Sequence, residues 1–580
     1  MSLFYELIKN TFKFNVRNSL IKSIGLAFQA ISLFLVYVNL INDLNVMTYV
    51  TISRVSWYRV LHIPLPLDRE LLIVSTVIGI LTEKMKLTSI ILLILVMLCY
   101  LVRVPLLLPI LSALAILWNS NKEKLKRLMD TVLIIVTSIC VLATVRHIMY
   151  FVIGDIPFSH PSWFIAEVHL MLLTSFQLFS IITYTTLPVL PLIDRVSSKI
   201  FHSKIYNLFL NNANNVKYTS DRLMFTLLFI SITLSLSYNI LPYLPTVNSE
   251  GIPIGVDIVL YKTRLDKMIK GYFNEILYKS SYELLYMLVL YSLWRITGLP
   301  SDVIVRTIPV FLLPLLALTV YYLALKISRN KFIAVLSAFF TVAGPQGTVG
   351  TYGSFQANIT ALILAYIILA IHFSSSRRSL TELIGIVLCS MIAELLHPWT
   401  ILHALIFAVI MSIYNKLRNK DYHLLLLAMV FGIFLGDLVR GLIVQSIRGM
   451  SIDVTRMHAE LLFESLQSNL VNYPKAIYEI TSLYYAGFMN YPPITLILLT
   501  PIVKDDNVKR FMLSWYLTLT LMYFTTGKFA SRILYNVPLA IGVAHMTMRL
   551  TKMSRMLFVA LLVVSISYST LSLVNLVLKV

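Results

Sequence analysis

Charge is scarce in this sequence. Of its 580 residues, 13% are Asp, Glu, Lys or Arg, about half the share usual for a water-soluble domain. So few charges cannot cover a water-facing surface, which excludes an ordinary soluble globular protein. Cysteine is scarcer still. Cys99, Cys140 and Cys389 are far apart, each inside an apolar run. That excludes a disulfide framework and a thiolate metal site, and leaves three small core residues. Acidic residues are few as well, 27 against 48 Lys and Arg, for a net charge of +21. Such an excess in a soluble chain would point to nucleic acid, but no basic stripe with interleaved aromatics exists here. Nucleic acid is therefore not an expected partner. No internal repeat breaks the pattern.

Apolar side chains are what the chain has in plenty. They make up 58% of it, and the mean hydropathy is +0.81. Lipid is the solvent that tolerates them. The expected fold class is an all-α polytopic membrane protein. Apolar runs bounded by charges or turn residues give about seventeen candidate spans. They lie near 23–41, 70–82, 87–102, 104–118, 131–153, 163–193, 222–245, 303–325, 331–345, 357–373, 380–396, 398–415, 422–444, 491–503, 510–526, 530–548 and 556–578.

Lys and Arg accumulate on the cytoplasmic side of membrane proteins. With the N-terminus cytoplasmic and the spans alternating, the basic short loops all fall inside. They include Lys122 to Arg127, Lys326 to Lys331, Arg377 and Arg378, Lys416 to Lys420, and Arg549 to Arg555. Outer connections 154–162 and 344–356 hold no Lys or Arg. Two outer segments, 246–302 and 445–490, are too long for turns. The aromatic stretch Tyr282 to Trp294 is expected to lie in the interface as a short helix, with a buried re-entrant helix as the alternative. The polar, asparagine-rich stretch 194–221 predicts a division into a membrane domain 1–215 and a second one, 216–580.

Titratable groups at membrane depth are costly and so are functional candidates. Several gather on the outer side of the second domain. Asp257, in Gly251-Ile-Pro-Ile-Gly-Val-Asp257, could take a proton from an attacking hydroxyl, or be a solvated loop carboxylate. Glu394 and His397 precede Pro398-Trp399 and, three residues apart on a helix, would share a face. They suit a polar ligand or a metal, although two ligands alone define no metal site. Arg306 and Arg532, at the outer starts of spans, suit a phosphate at headgroup level, or simply snorkel to the interface. Segment 344–356, with four glycines and no charge, reads as an outer loop open to close approach by a ligand. Asn358-Ile-Thr360 matches a glycosylation sequon at a span start.

The order of these features over roughly 222–580 resembles the GT-C glycosyltransferases, polytopic enzymes that use sugars carried on polyprenyl phosphate or diphosphate. Four stretches carry the resemblance: Gly255-Val-Asp257 followed by Tyr261; Tyr291 to Pro300 leading to Val305-Arg306-Thr-Ile-Pro309; the His397-Pro398 hairpin; and Ser531-Arg532-Ile-Leu-Tyr535-Asn-Val-Pro538. It implies Asp257 as general base. It implies Arg306, Arg532 and Lys528 around the donor phosphate, and Glu394, His397, Tyr261, Tyr535 and Gln356 around substrate. The implied partners are a polyprenyl-phosphate-linked sugar, a glycan, lipid or protein acceptor, and membrane lipid. Many relatives carry a further acidic motif in the second outer loop. Here 344–356 has no Asp or Glu, so no cofactor is expected and inverting transfer without a metal fits better, a divalent metal staying open. Spans 1–193 resemble no known family. Two other classes compete. A transporter or flippase would use mid-span ionisable groups such as Arg146, His169, Asp437 and Arg440, and a noncatalytic scaffold would need none of them.

Overall fold

The structure, a computed structural model, describes residues 24–33, 68–81, 87–101, 111–116, 122–154, 156–157, 160–175, 177–194, 221–373, 379–415, 422–448, 491–502, 506–526, 534–550 and 555–577. Every regular element among the described residues is helical, and no strand occurs among them. The chain divides into two compact units. One comprises Met1–Ala143, Pro161–Ser175 and Ser554–Val564; the other comprises Thr144–His160, Phe176–Met553 and Ser565–Val580. The break expected at 215/216 falls in 195–220, outside the described residues.

The first unit holds α1 (Asp68–Leu81), α2 (Leu87–Leu101), most of α3 (Lys122–Ile153), and α4 (Ser162–Ser175). Its apolar contacts form small clusters, such as Leu72 and Ile73 against Val96. Between them Ser32 hydrogen-bonds Thr76. Along α3, Ile134, Val141, Leu142 and Val145 are all exposed. So much exposed apolar surface on one helix is compatible with hydrocarbon, not with water.

Beyond the end of α3, the second unit holds α5 (Gln177–Thr186) and α6 (Asp221–Ile240). Within the predicted run 163–193 a 3-10 turn follows α5 at Leu187–Val189, where Pro188 cannot donate a helical hydrogen bond. Segment 246–302 folds into α7 (Val256–Ile269), α8 (Phe273–Lys279) and α9 (Leu284–Thr297), so the aromatic stretch is helical. None of the three is long and apolar enough to cross. Then α10 (Ser301–Ser328) and α11 (Lys331–Val342) form a tight hairpin. Arg329 adopts a left-handed conformation, and Asn330 Oδ1 accepts hydrogen bonds from the N–H groups of Phe332 and Ile333. That pair satisfies the end of one helix and the start of the next.

Residues 344–356, expected as an outer loop, instead form α12 (Pro345–Gly353) in the core. Its glycines serve packing. A Cβ on Gly344 would lie 2.3 Å from the Phe340 carbonyl, and one on Gly350 would lie 2.3 Å from the Tyr535 hydroxyl. After α13 (Gln356–His372), a capping box of Ser379 and Glu382 opens α14 (Leu380–Leu396). Next come α15 (Pro398–Asn415) and α16 (Tyr422–Arg448). Residues 449–490, nearly all of the second long outer segment, lie outside the described residues. The chain resumes with a 3-10 helix, Pro492–Ile502, and ends with α17 (Asn507–Thr526), α18 (Leu539–Leu550) and α19 (Arg555–Val577). Among the described residues, six helices are long and apolar enough to cross a membrane: Glu123–Ile153, Asp221–Tyr243, Ser301–Ser328, Lys331–Thr351, His423–Ile447 and Met556–Val577. The protein is an all-α membrane protein.

Helices in lipid gain little from burying apolar surface against one another, so close backbone approach matters more. On α16, Gly432 and Gly436 lie four apart and face α14. A Cβ on Gly432 would sit 2.4 Å from the Val387 carbonyl oxygen, and one on Gly436 would sit 2.9 Å from that of Met391. Both contacts are with backbone, which cannot swing away. Gly432→Ala should therefore force the two helices apart and cost about 1–3 kcal/mol, as overpacking does. A denaturant titration in mild detergent measures it.

At the head of α17, Asp506 Oδ2 meets His545 Nε2 at 3.0 Å and Arg549 Nη2 at 2.6 Å. Its Oδ1 accepts the Lys509 N–H at 2.8 Å. Burial alone would raise the Asp506 pKa, but His545, the Lys509 amide and Arg549 outweigh it and hold the carboxyl well below its usual range. A carboxylate with a depressed folded pKa contributes stability above its unfolded pKa, and loses it as pH falls through the folded one. The stability gap between wild type and Asp506→Asn should be full at pH 7 and should shrink below about pH 4. Thermal unfolding across that range reads it.

Candidate functional site

The candidate site lies where α10 starts. Arg306, one and a half turns into α10, is half-buried, and its Nη1 donates to the Gly251 carbonyl at 3.1 Å. Its Nη2 lies 3.4 Å from Asp302 Oδ2, and the guanidinium sits over the Tyr243 ring at 5.8 Å from the centroid. Gly251 has φ +61, and a Cβ there would stand 2.9 Å from Nη1. Glycine at this position therefore fits both the backbone and the approach of the arginine. A small cleft of about 10 Å³ lies beside the guanidinium, lined by Tyr243, Ile254, Ile258, Thr351 and Ser354. A guanidinium has five N–H donors, so the contacts to Gly251 and Asp302 leave others for an anion.

Asp257 lies in the first turn of α7, one residue before Ile258. It is half-buried and is flanked by two cleft-lining residues, Ile254 and Ile258, without being one itself. A carboxylate in the first turn of a helix interacts favourably with the helix dipole. Asp257 and Arg306 thus belong to two elements that border one cleft. Arg532 and Lys528, expected at the same phosphate, lie outside the described residues.

Tyr261 and Gln356 belong to a network behind this cleft. The Tyr261 hydroxyl donates to Glu283 Oε1 at 3.1 Å, and Arg264 Nη1 donates to Glu283 Oε2 at 2.8 Å. The Tyr261 ring packs edge-on against Tyr286 at 5.0 Å, and the Tyr286 hydroxyl donates to Gln356 Oε1. Gln356 Nε2 donates to the Val305 carbonyl at 2.8 Å, next to Arg306 in sequence, and to Ser354 Oγ at 2.9 Å. The chain of bonds ties α7, α9, α10 and α13 together.

Glu394 and His397 do not share a helical face. The helix stops at Leu396, and His397 is extended at φ −162, ψ 93, as expected for a residue before proline. Glu394 Oε1 instead accepts from Arg440 Nη1 at 2.9 Å, and Arg440 Nη2 donates to the Glu394 carbonyl. Asp437 lies 3.6 Å from the same guanidinium. His397 Nδ1 is 2.8 Å from Thr400 Oγ1. Since that hydroxyl donates to Asn358 Oδ1, His397 must donate to it. Asn358, the sequon asparagine, is buried. The Tyr535 hydroxyl donates to the Gln346 carbonyl at 3.1 Å, while Gln346 Nε2 donates to the Tyr535 carbonyl at 2.9 Å.

Sequence reasoning missed the Glu394–Arg440 pair, although both residues stood out separately. The signal was present: Gly432, Gly436 and Arg440 are spaced four apart, so the glycines that admit α14 also deliver the guanidinium to it. Among the described residues, no group of three His, Cys, Asp or Glu side chains converges as metal ligands would. No protein-family model, curated protein or solved structure matches the chain.

Proposed function

We propose that the protein is a membrane glycosyltransferase of GT-C type, moving a sugar from a polyprenyl-phosphate carrier to an acceptor on the extracytoplasmic face. One observation carries this reading. A half-buried arginine with donors to spare borders the same cleft as the helix that carries Asp257. Arg306 would hold the carrier phosphate, joined by Arg532 and Lys528. The acceptor hydroxyl oxygen attacks the anomeric carbon and its proton passes to the Asp257 carboxylate. The anomeric carbon–oxygen bond breaks, and the phosphate leaves with the electron pair. One displacement inverts the anomeric centre. Phosphate leaves readily, so the residues named suffice without a metal.

The same reading includes about seventeen crossings, with the N-terminus cytoplasmic and the segment 246–302 outside. The acceptor would be a glycan, lipid or protein, and the site would lie in the multi-pass cell membrane. A second reading, a transporter, is favoured by the buried Glu394–Arg440–Asp437 group within apolar helices.

The test is transfer from a panel of polyprenyl-phosphate sugars by the purified full chain in nanodiscs. Radiolabelled product is expected from at least one donor. Arg306→Ala should raise the donor KM about tenfold or more, the worth of one charge-assisted contact, with kcat less affected. Vectorial movement of a lipid-linked or small substrate without any transfer would overturn the enzyme reading in favour of the transporter.

A further inference from the structure

A buried polar seam crosses α12, α13, α15 and the segment before α18, apart from the Arg306 cleft. Asn358 on α13 is 2% exposed, Gln346 on α12 is 4%, His403 on α15 is 1%, and Asn536 is 0%. Each uses one polar atom and leaves the other without a partner among the described residues. Asn358 Oδ1 accepts from Thr400 while its Nδ2 is left. Asn536 Nδ2 donates to His403 Nδ1 at 2.8 Å, leaving Asn536 Oδ1 and His403 Nε2. Gln346 Nε2 donates to the Tyr366 hydroxyl at 3.0 Å, leaving Oε1. Tyr366 in turn donates to the Asn536 carbonyl at 2.9 Å.

The inventory is specific. His403 accepts at Nδ1, so in its neutral form the proton sits on Nε2, which makes Nε2 a donor. The seam therefore presents two donors, Asn358 Nδ2 and His403 Nε2, and two acceptors, Asn536 Oδ1 and Gln346 Oε1. Thr400 and His403 are three apart on α15, so the two donor side chains are tied to one face of that helix. The acceptors are tied to each other through Tyr366. Leaving a single such atom dry costs the desolvation of a polar group with no bond in return. Four together would weigh heavily on a fold that is only marginally stable. An ion does not fit a set whose donors and acceptors are neutral and equal in number. A hydroxyl oxygen does, because it donates and accepts at once, and a buried water is held by two to four such partners.

We infer that Asn358, His403, Asn536 and Gln346 form a buried site for neutral hydroxyl groups, supplied either by ordered water or by the hydroxyls of a sugar. The site does not depend on the transferase reading. Cryo-EM of the full chain in nanodiscs, at a resolution that shows water, tests it. The expected result is an ordered density within about 3.2 Å of Asn358 Nδ2, His403 Nε2 or both, and of at least one of the two acceptors. Pairing of all four atoms with protein groups, with no such density, would overturn it.

A second arm separates the sources. Millimolar free hexose that raises the Tm of wild type, but not of Asn358→Leu, assigns the site to sugar hydroxyls. Density without any hexose effect assigns it to water. Should Asn358→Leu not fold, selective ¹⁵N-histidine labelling of wild type takes its place. His403 must then show a protonated Nε2 and a bare Nδ1. The opposite tautomer would overturn the assignment.

Discussion

Replacing Glu394 with leucine should be among the most damaging changes to stability available in this chain. The substitution leaves Arg440, 1% exposed, without its carboxylate. A guanidinium cannot shed its proton to escape the cost. Breaking a buried ion pair by removing one partner costs about 3–5 kcal/mol. The lower end applies here, because Nη2 keeps the Glu394 backbone carbonyl and Asp437 remains 3.6 Å away. The mirror change, Arg440→Met, should cost less, because a carboxylate left alone can take up a proton whereas an arginine cannot give one away. The pair Glu394→Leu with Arg440→Met should recover most of the loss, since a well-packed apolar replacement for a buried pair is often neutral. Unfolding of the four proteins in one detergent completes a double-mutant cycle. A double variant no better than Glu394→Leu alone would mean that the two side chains do not act as a pair.

This pair also marks where the sequence was readable and where it was not. Apolar runs bounded by charges located the helices closely: 398–415 was expected and Pro398–Asn415 is observed, and 380–396 coincides with α14. Such boundaries depend on local chemistry, here a capping serine and a helix-starting proline. What failed was any inference that needed a partner from elsewhere. The glycines of 344–353 signalled an open loop, whereas in the fold they admit Tyr535 and the turn before them. Glu394 was grouped with His397 because three residues separate them, but the proline ends the helix one residue too soon and the guanidinium comes from α16. Arg306 was picked out by its position at a span start. Its carbonyl partner at Gly251, 55 residues away, is visible only in three dimensions.

The candidate site follows the same division. The sequence singled out Asp257 and Arg306 separately, and the fold brings their helices to one cleft, which makes a base assignment testable. Asp257→Asn keeps size and shape, and asparagine is well tolerated beside a helix N-terminus, so folding should be intact. An amide cannot accept the acceptor hydroxyl's proton. If Asp257 is the base of the proposed transfer, kcat should fall by about 10²–10⁴-fold, the usual worth of general base catalysis. That fall corresponds to about 3–5 kcal/mol in the barrier. The donor KM should barely move, because in that role the carboxylate would touch the acceptor rather than the phosphate. Arg306→Ala should show the reverse pattern, a raised KM with a smaller change in kcat. The contrast between the two variants is what a purely structural role could not mimic, because a misfolded site lowers both parameters together. Transfer that persists unchanged in Asp257→Asn, in a panel where wild type is active, would remove this carboxylate from the chemistry and leave Arg306 as a lipid-phosphate anchor without a base beside it.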